Sequence, residues 1–247
     1  MPPGEYDLTA TTTQTGTAKV TVGTTAQSVT ITIAPVPRRV WRLTDSVGAE
    51  RIQRMQPHED VVRTVLERLP APSAVGPRLI CVEGLGGAGK TTLARALAAG
   101  SDDITPVHGD DFYGPEERDW RSWTPRQGYE LYFDHQRVER ELLRPLKEGR
   151  PAAFQRYDWQ TNVLDGWVTV EARGIVLVEG VYLLRRELRP YWNLAIYVDT
   201  PRELRQARLH ARGENDAGWI ERWAAAEDYY ERVEQPVQAA DLVVSGN

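Results

Sequence analysis

RLICVEGLGGAGKTT, residues 78–92, decides how the rest of the chain is read. An apolar run, Leu79–Val82, ends at an acid and enters a loop with Gly84, Gly89, Lys90 and Thr91 in fixed order. This is the G-x-x-x-x-G-K-[ST] spacing, in which glycines let backbone N–H groups converge on phosphate oxygens and the next helix adds its positive end. Gly84, Gly86, Gly87, Ala88, Gly89, Lys90, Thr91 and Thr92 are therefore the expected nucleotide-holding residues. Lys90 is expected to bridge the β- and γ-phosphates, and the Thr91 hydroxyl to bind Mg²⁺. Such a loop implies that a triphosphate is held. It leaves open whether the terminal phosphate goes to water or to another molecule.

Outward from the loop, apolar runs alternate with helical spacing. TTLARALAAG reads as an amphipathic helix closed by Gly100, and ITPVHGD as a short strand. DHQRVERELLRPLKEG reads as one helix with Val138, Leu142, Leu143 and Leu146 inside. GIVLVEG is a continuous apolar strand of the kind buried on both faces, LAIYVDT another, and DLVVSG a last short one. This alternation predicts an α/β fold: an open parallel sheet flanked by helices, with ligands at the carboxyl ends of the strands.

Composition shifts near residue 38. Residues 1–38 are Thr-rich and charge-poor, and AKVTV and SVTITI alternate at the strand period, which suggests a β-hairpin or a flexible extension. A lone hairpin is marginal in water, so this one must pack on the main domain, pair with another chain or stay mobile. Residues 39–76 read as a helical segment and linker, with Val61, Val62, Val65 and Leu66 on one face and Pro70 as the stop. Residues 77–247 form the expected main domain. A net charge of −5 argues against a nucleic-acid binder that relies on phosphate neutralisation. The single cysteine, Cys81, excludes an intramolecular disulfide and reads as a buried thiol. The opening MPPGEYDLTA lacks the basic and apolar regions of a secretory leader, and no apolar stretch is long enough to span a bilayer. The expectation is a cytoplasmic protein without a membrane partner, its oligomeric state open.

Several residues after strands carry chemistry. In HGDDFYG, Asp110 can return to the rim that holds Lys90, where a carboxylate could accept the proton of an attacking hydroxyl. Asp111 could assist the metal shell or cap the next turn, and both acids could equally be turn residues. Glu179 closes GIVLVEG, where it could hold Mg²⁺ through water or stand as an exposed acid. Arg205, Arg208 and Arg212 share a helical face that could close over phosphates or simply face solvent. In YELYFDH and RYDWQ, rings stand beside acids, a mixture suited to a flat base and sugar hydroxyls as well as to core packing.

From Arg78 to Ser245 these motifs, in order, resemble the uridine kinase group of P-loop nucleoside kinases, related to phosphoribulokinase and bacterial pantothenate kinase. The resemblance implies an ATP- and Mg²⁺-dependent kinase acting on a small-molecule hydroxyl. It gives Asp110 the part of catalytic base, Tyr113 and Phe133 substrate contacts, Asp134 the ribose hydroxyls, and Tyr157 and Trp159 the base pocket. It places Glu179 with Thr91 at the metal, and Arg208 and Arg212 in an arginine-rich lid beside Lys90. The sequence departs from the group at three points. Gln136 stands where a proline is usual, Asn162 falls about where a histidine reads the pyrimidine, and RGENDAGW is not the usual lid. Uridine or cytidine is the leading acceptor, with pantothenate or a sugar as the alternative. A regulatory NTPase is a weaker reading, since neither N-K-x-D nor L-S-G-G-Q occurs.

Overall fold

The structure, a computed structural model, describes residues 9–12, 17–21, 28–32, 59–71, 76–114, 120–213 and 217–246. Contacts divide the chain into two units, residues 1–52 and 53–247. In the first unit, β1 (Thr9–Thr12), β2 (Thr17–Thr21) and β3 (Ser28–Thr32) form an antiparallel sheet in that order. The pair β2–β3 occupies the two stretches read as a hairpin, with Lys19 opposite Thr30, and β1 adds a strand that was not expected. The turn between β2 and β3 lies outside the described residues, as do residues 33–38 of the extension and residues 39–58 and 72–75 of the expected helical segment and linker.

The second unit is built on five parallel strands. β4 (Arg78–Glu83) lies at the centre and leads into α2 (Lys90–Ala99). β5 (Ile104–His108), β8 (Ile175–Gly180), β9 (Leu194–Asp199) and β10 (Leu242–Ser245) complete the order β10-β9-β4-β8-β5. Pro106 is tolerated because β5 is an edge strand, where a missing N–H need not break a ladder on both sides. Every residue of β8 is buried, as its continuous apolar sequence requires of a strand covered on both faces.

Side-chain alternation sorts the core into two layers. Leu79, Cys81, Val176 and Val178 face one side, against Leu142, Leu143 and Leu146 and the antiparallel hairpin of β6 (Ala152–Asp158) and β7 (Val163–Val170). Ile80, Val82, Leu177 and Ile196 face the other, against Leu93 and Leu97 of α2 and Val65 of α1 (Glu59–Arg68). Val61, Val62 and Leu66 pack beside Val65, the face the sequence spacing predicted. Each fully buried Leu or Ile contributes roughly 1.5–3 kcal/mol.

After α3 (Pro125–Leu131), the helix expected over residues 134–149 is continuous but not uniform. α4 (His135–Arg137) widens into a π-helical stretch, Val138–Leu143, before α5 (Arg144–Lys147). The Arg144 N–H reaches back five residues to Glu139 O, and Pro145 follows. Proline cannot donate to the ladder and crowds the preceding turn, so a wider turn just before it relieves the clash. α6 (Arg202–Arg212), α7 (Ala217–Glu234) and α8 (Pro236–Ala239) complete the fold. Neither α7 nor the β6–β7 hairpin was anticipated from sequence. No helix among the described residues is long and apolar enough to cross a membrane.

Candidate active site

Parallel register brings the chemistry to one edge of the sheet. Val82 pairs with Glu179, and Glu179 in turn pairs with His108, so the ends of β4, β8 and β5 lie side by side. The loop after β4 and the turn after β5 leave from the same edge. Between them opens a cleft of about 590 Å³ that Gly86, Gly87, Gly89, Lys90, Thr91, Thr92, Asp110 and Glu179 line together.

The loop's shape depends on its glycines. Gly84, Gly87 and Gly89 have φ of 154°, 77° and 103°, where a side chain would be strained. A Cβ on Gly87 would lie 2.6 Å from the carbonyl oxygen of Arg205. The Ala88 N–H bonds to Leu85 O, tightening the loop, and Ala88 O accepts from the Thr200 hydroxyl at 2.9 Å. α2 opens at Lys90 without a side-chain cap, so the N–H groups of its first turn point toward the cleft unsatisfied by the helix. The Lys90 ammonium folds over the loop, donating to Leu85 O at 3.0 Å. Backbone N–H groups, an unsatisfied helix start and an ammonium together suit a polyphosphate, which fits the group the motif implies.

Glu179 is buried and its Oε1 accepts twice, from the Thr91 hydroxyl at 3.1 Å and from His108 Nδ1 at 2.7 Å. Burial works to raise its pKa, but the His108 bond and the charge of Lys90 outweigh it and hold Glu179 below its ordinary value. The same bond raises His108, against its own partial burial. An ionised carboxylate beside a hydroxyl, both on the cleft wall, is a donor set suited to a magnesium ion that keeps several waters. Asp110 opens into the cleft from the 3₁₀ turn Gly109–Phe112. Asp110 is exposed to the cleft, yet the crowding of protein around it, together with Glu179, pushes its carboxyl up to about 6, against Lys90 and His108. Asp111 instead turns toward Arg156, 3.9 Å away, and its backbone carbonyl accepts from Arg137.

The aromatic residues separate into wall and support. Phe133 and Trp159 line the cleft, and Trp159 is 54% exposed, its ring 4.4 Å from that of Tyr113. Tyr113 is buried beneath, against Phe133 and Tyr157. The Tyr157 hydroxyl bonds to Asn162 Oδ1 at 2.7 Å, and Asn162 sits exposed on the β6–β7 turn at φ 54°, away from the cleft lining. Asp134 caps α4 by accepting from the Arg137 N–H at 2.9 Å and does not line the cleft.

The three arginines of α6 take three different places. Arg205 is buried and paired with Glu227 at 3.0 Å. Arg208 donates to Gly87 O at 3.1 Å and Gly246 O at 2.9 Å, behind the loop. Of the three, Arg212 lines the cleft. The helical face is therefore neither a solvated stripe nor a single lid; its first two arginines dock the helix on the loop.

Sequence reasoning passed over Leu209, Val181, Trp219 and Trp223, which also line the cleft, and His108 beneath Glu179. The indoles of Trp219 and Trp223 stack at 4.9 Å and 12°, and Trp223 packs on Phe133. Spacing held the signal: Trp219, Trp223, Glu227, Tyr230 and Glu234 recur at intervals of four, four, three and four along one face of α7.

Residues 132–246 match the family described as phosphoribulokinase/uridine kinase, a match that begins beyond both the loop and Asp110. Among solved structures, the chain is similar to a possible uridine kinase from Bacillus stearothermophilus. The two are 26% identical, with a TM-score of 0.61, over 74% of this chain and 97% of that one. It is also similar to a protein provisionally assigned as a fructose transport system kinase from Silicibacter sp. TM1040. That pair is 26% identical, with a TM-score of 0.53, over 75% and 97% of the two chains.

Proposed function

We propose that the chain is a uridine kinase-like P-loop kinase and that it transfers the γ-phosphate of ATP to a primary hydroxyl of a nucleoside such as uridine or cytidine. The observation that carries this reading is one cleft lined by the phosphate loop, by the carboxylate of Asp110 and by the rings of Phe133 and Trp159. A motor or switch needs the first of these; transfer to a bound alcohol also uses a base beside the hydroxyl, and the rings suit a flat acceptor such as a nucleoside.

In this reading the loop residues from Gly84 to Thr92 bind the triphosphate, and Lys90 and Arg212 offset the charge that develops on the moving phosphoryl group. Thr91 and Glu179 would hold Mg²⁺, which would supply charge neutralisation for the bound phosphates. Asp110 accepts the proton of the attacking hydroxyl, and its raised pKa makes it a better base than an ordinary aspartate while leaving it ionised at pH 7. Phe133 and Trp159 offer flat faces to a base, and Tyr113 and Tyr157 support Trp159 from behind. Arg208 acts by holding the loop, Asp134 by capping α4, and Asn162 by fixing Tyr157.

The likeness to a fructose transport system kinase supports a sugar as the second reading of the acceptor. An ADP-release screen over nucleosides, sugars and pantothenate tests both. A nucleoside hit that disappears in Asp110→Asn supports the proposal. ADP release that is independent of every acceptor defeats it.

A further inference from the structure

Gly86 is gripped at both ends of its residue by two side chains from outside the loop. Its N–H donates to Glu227 Oε1, and its carbonyl accepts from Arg205 Nη1 at 3.3 Å. The two side chains are paired with each other at 3.0 Å, which closes a ring through the loop backbone. Trp223 Nε1 donates to the same Glu227 oxygen at 2.9 Å, and Arg205 Nε donates to Thr200 O at 3.2 Å. Glu227 is 1% exposed, both of its oxygens are engaged, and it does not line the cleft. It is therefore placed neither to take a proton from an acceptor nor to meet a metal. A Cβ on Gly86 would come within 3.1 Å of Glu227 Oε1 and 3.3 Å of Trp223 Nε1, so α7 lies directly on the loop.

We propose that Glu227 is a positioning residue for the phosphate loop: by holding the Gly86 N–H, and Arg205 through it, it fixes the peptides that lead into Gly87 and Gly89 in the form that receives the triphosphate. The inference rests on the reading of this loop as the ATP cradle. Two consequences follow from the bonding. The loop needs an acceptor at Oε1 and a countercharge for Arg205, and a glutamine supplies the first without the second. Of the acceptor wall, Trp159 rests on Tyr113, clear of Glu227, whereas Phe133 also meets Trp223, whose indole N–H needs the same acceptor at Oε1.

The test uses the full chain, ATP as the probe in titration calorimetry, and the acceptor KM from steady-state turnover. Glu227→Ala is expected to weaken ATP binding by about tenfold or more, because it leaves the Gly86 N–H and the Arg205 charge without their partner. Glu227→Gln, whose amide oxygen still accepts from the Gly86 and Trp223 N–H groups, is expected to recover most of that loss and to keep the acceptor KM within about twofold of the parent. Should Glu227→Ala not fold, Arg205→Lys decides: a single ammonium cannot reach Gly86 O, Thr200 O and Glu227 together, so ATP affinity should fall by about threefold or more at unchanged acceptor KM. A folded Glu227→Ala or Arg205→Lys chain with parental ATP affinity overturns the proposal, and so does a parallel loss of ATP and acceptor affinity in Arg205→Lys, which leaves the Trp223–Glu227 bond in place. A parent chain that binds no ATP overturns the cradle reading itself, an outcome separable from parental affinity in a variant.

Discussion

The hydroxyl of Thr91, at the start of α2, stands 3.1 Å from a carboxylate oxygen of Glu179, which arrives from the far end of β8. They lie 88 positions apart in the sequence, and only the parallel pairing of β4 with β8 makes them neighbours. Glu179→Gln keeps the shape and one acceptor oxygen but loses the charge. The Mg²⁺ concentration giving half-maximal turnover is expected to rise by about tenfold, with little change in the affinity for metal-free ATP. A metal titration at fixed ATP checks this.

Asp110→Asn is expected to lower turnover by about a hundred- to ten-thousand-fold while ATP still binds. Calorimetry with ATP, beside an ADP-release assay, separates the two effects. Retained turnover in the variant would remove Asp110 from the reaction.

The same residue sets a pH dependence. A carboxyl raised to about 6 is protonated below that pH and cannot take the acceptor's proton, so kcat/KM should fall on the acid side through about pH 6. Stability moves in the opposite sense. Between its ordinary 3.8 and about 6, Asp110 binds its proton in the folded chain but not in the unfolded one. Its contribution is thus fully present below that window and declines as pH rises through it. The decline is small, because the side chain opens onto the cleft. Unfolding curves of the parent and Asp110→Asn at about pH 4.5, inside the window, and about pH 7, above it, should diverge toward the higher pH, with the variant gaining.

Trp159→Ala removes an exposed ring that lines the cleft and rests on Tyr113. One aromatic contact contributes about 0.5–1.5 kcal/mol beyond its area, so the acceptor KM should rise by up to about tenfold. ATP affinity should not change. A nucleoside and a sugar used as alternative acceptors should respond unequally, the nucleoside losing more.

Gly87→Ala combines a φ of 77° with a Cβ that would lie 2.6 Å from the Arg205 backbone. The left-handed backbone alone costs roughly 1–2 kcal/mol, and the clash forces α6 off the loop. Loss of ATP binding with a lowered melting temperature is expected by calorimetry and thermal denaturation. A variant that binds ATP normally would show that the loop rearranges freely.

The central sheet was legible because its strands are nearly pure apolar runs and its loop has fixed spacing. Glu179 could be placed at the cleft because it stands at the end of the fully buried β8, and Asp110 because it lies in the turn that follows β5 at the same edge of the sheet. α7 was not legible, because its buried face carries Glu227 and Glu234 among the aromatics, and each is satisfied by residues distant in sequence. The β6–β7 hairpin escaped because a bulge between Gln155 and Arg156 breaks its alternation and its outer face exposes Trp167 and Val163. Arg205, Arg208 and Arg212 share a helical stripe in sequence, but only the packing of α6 on Gly87 assigns them three separate duties.

Cys81 is the chain's single cysteine and lies wholly buried on the central strand, its thiol held well above its ordinary pKa by burial. A maleimide or disulfide reagent in solution thus meets no reactive sulfur while the five strands stay joined. The rate at which such a reagent labels the protein becomes a clock for rare openings of the middle of the sheet. Slower labelling in the presence of ATP would measure how far an occupied loop locks the strand that carries it.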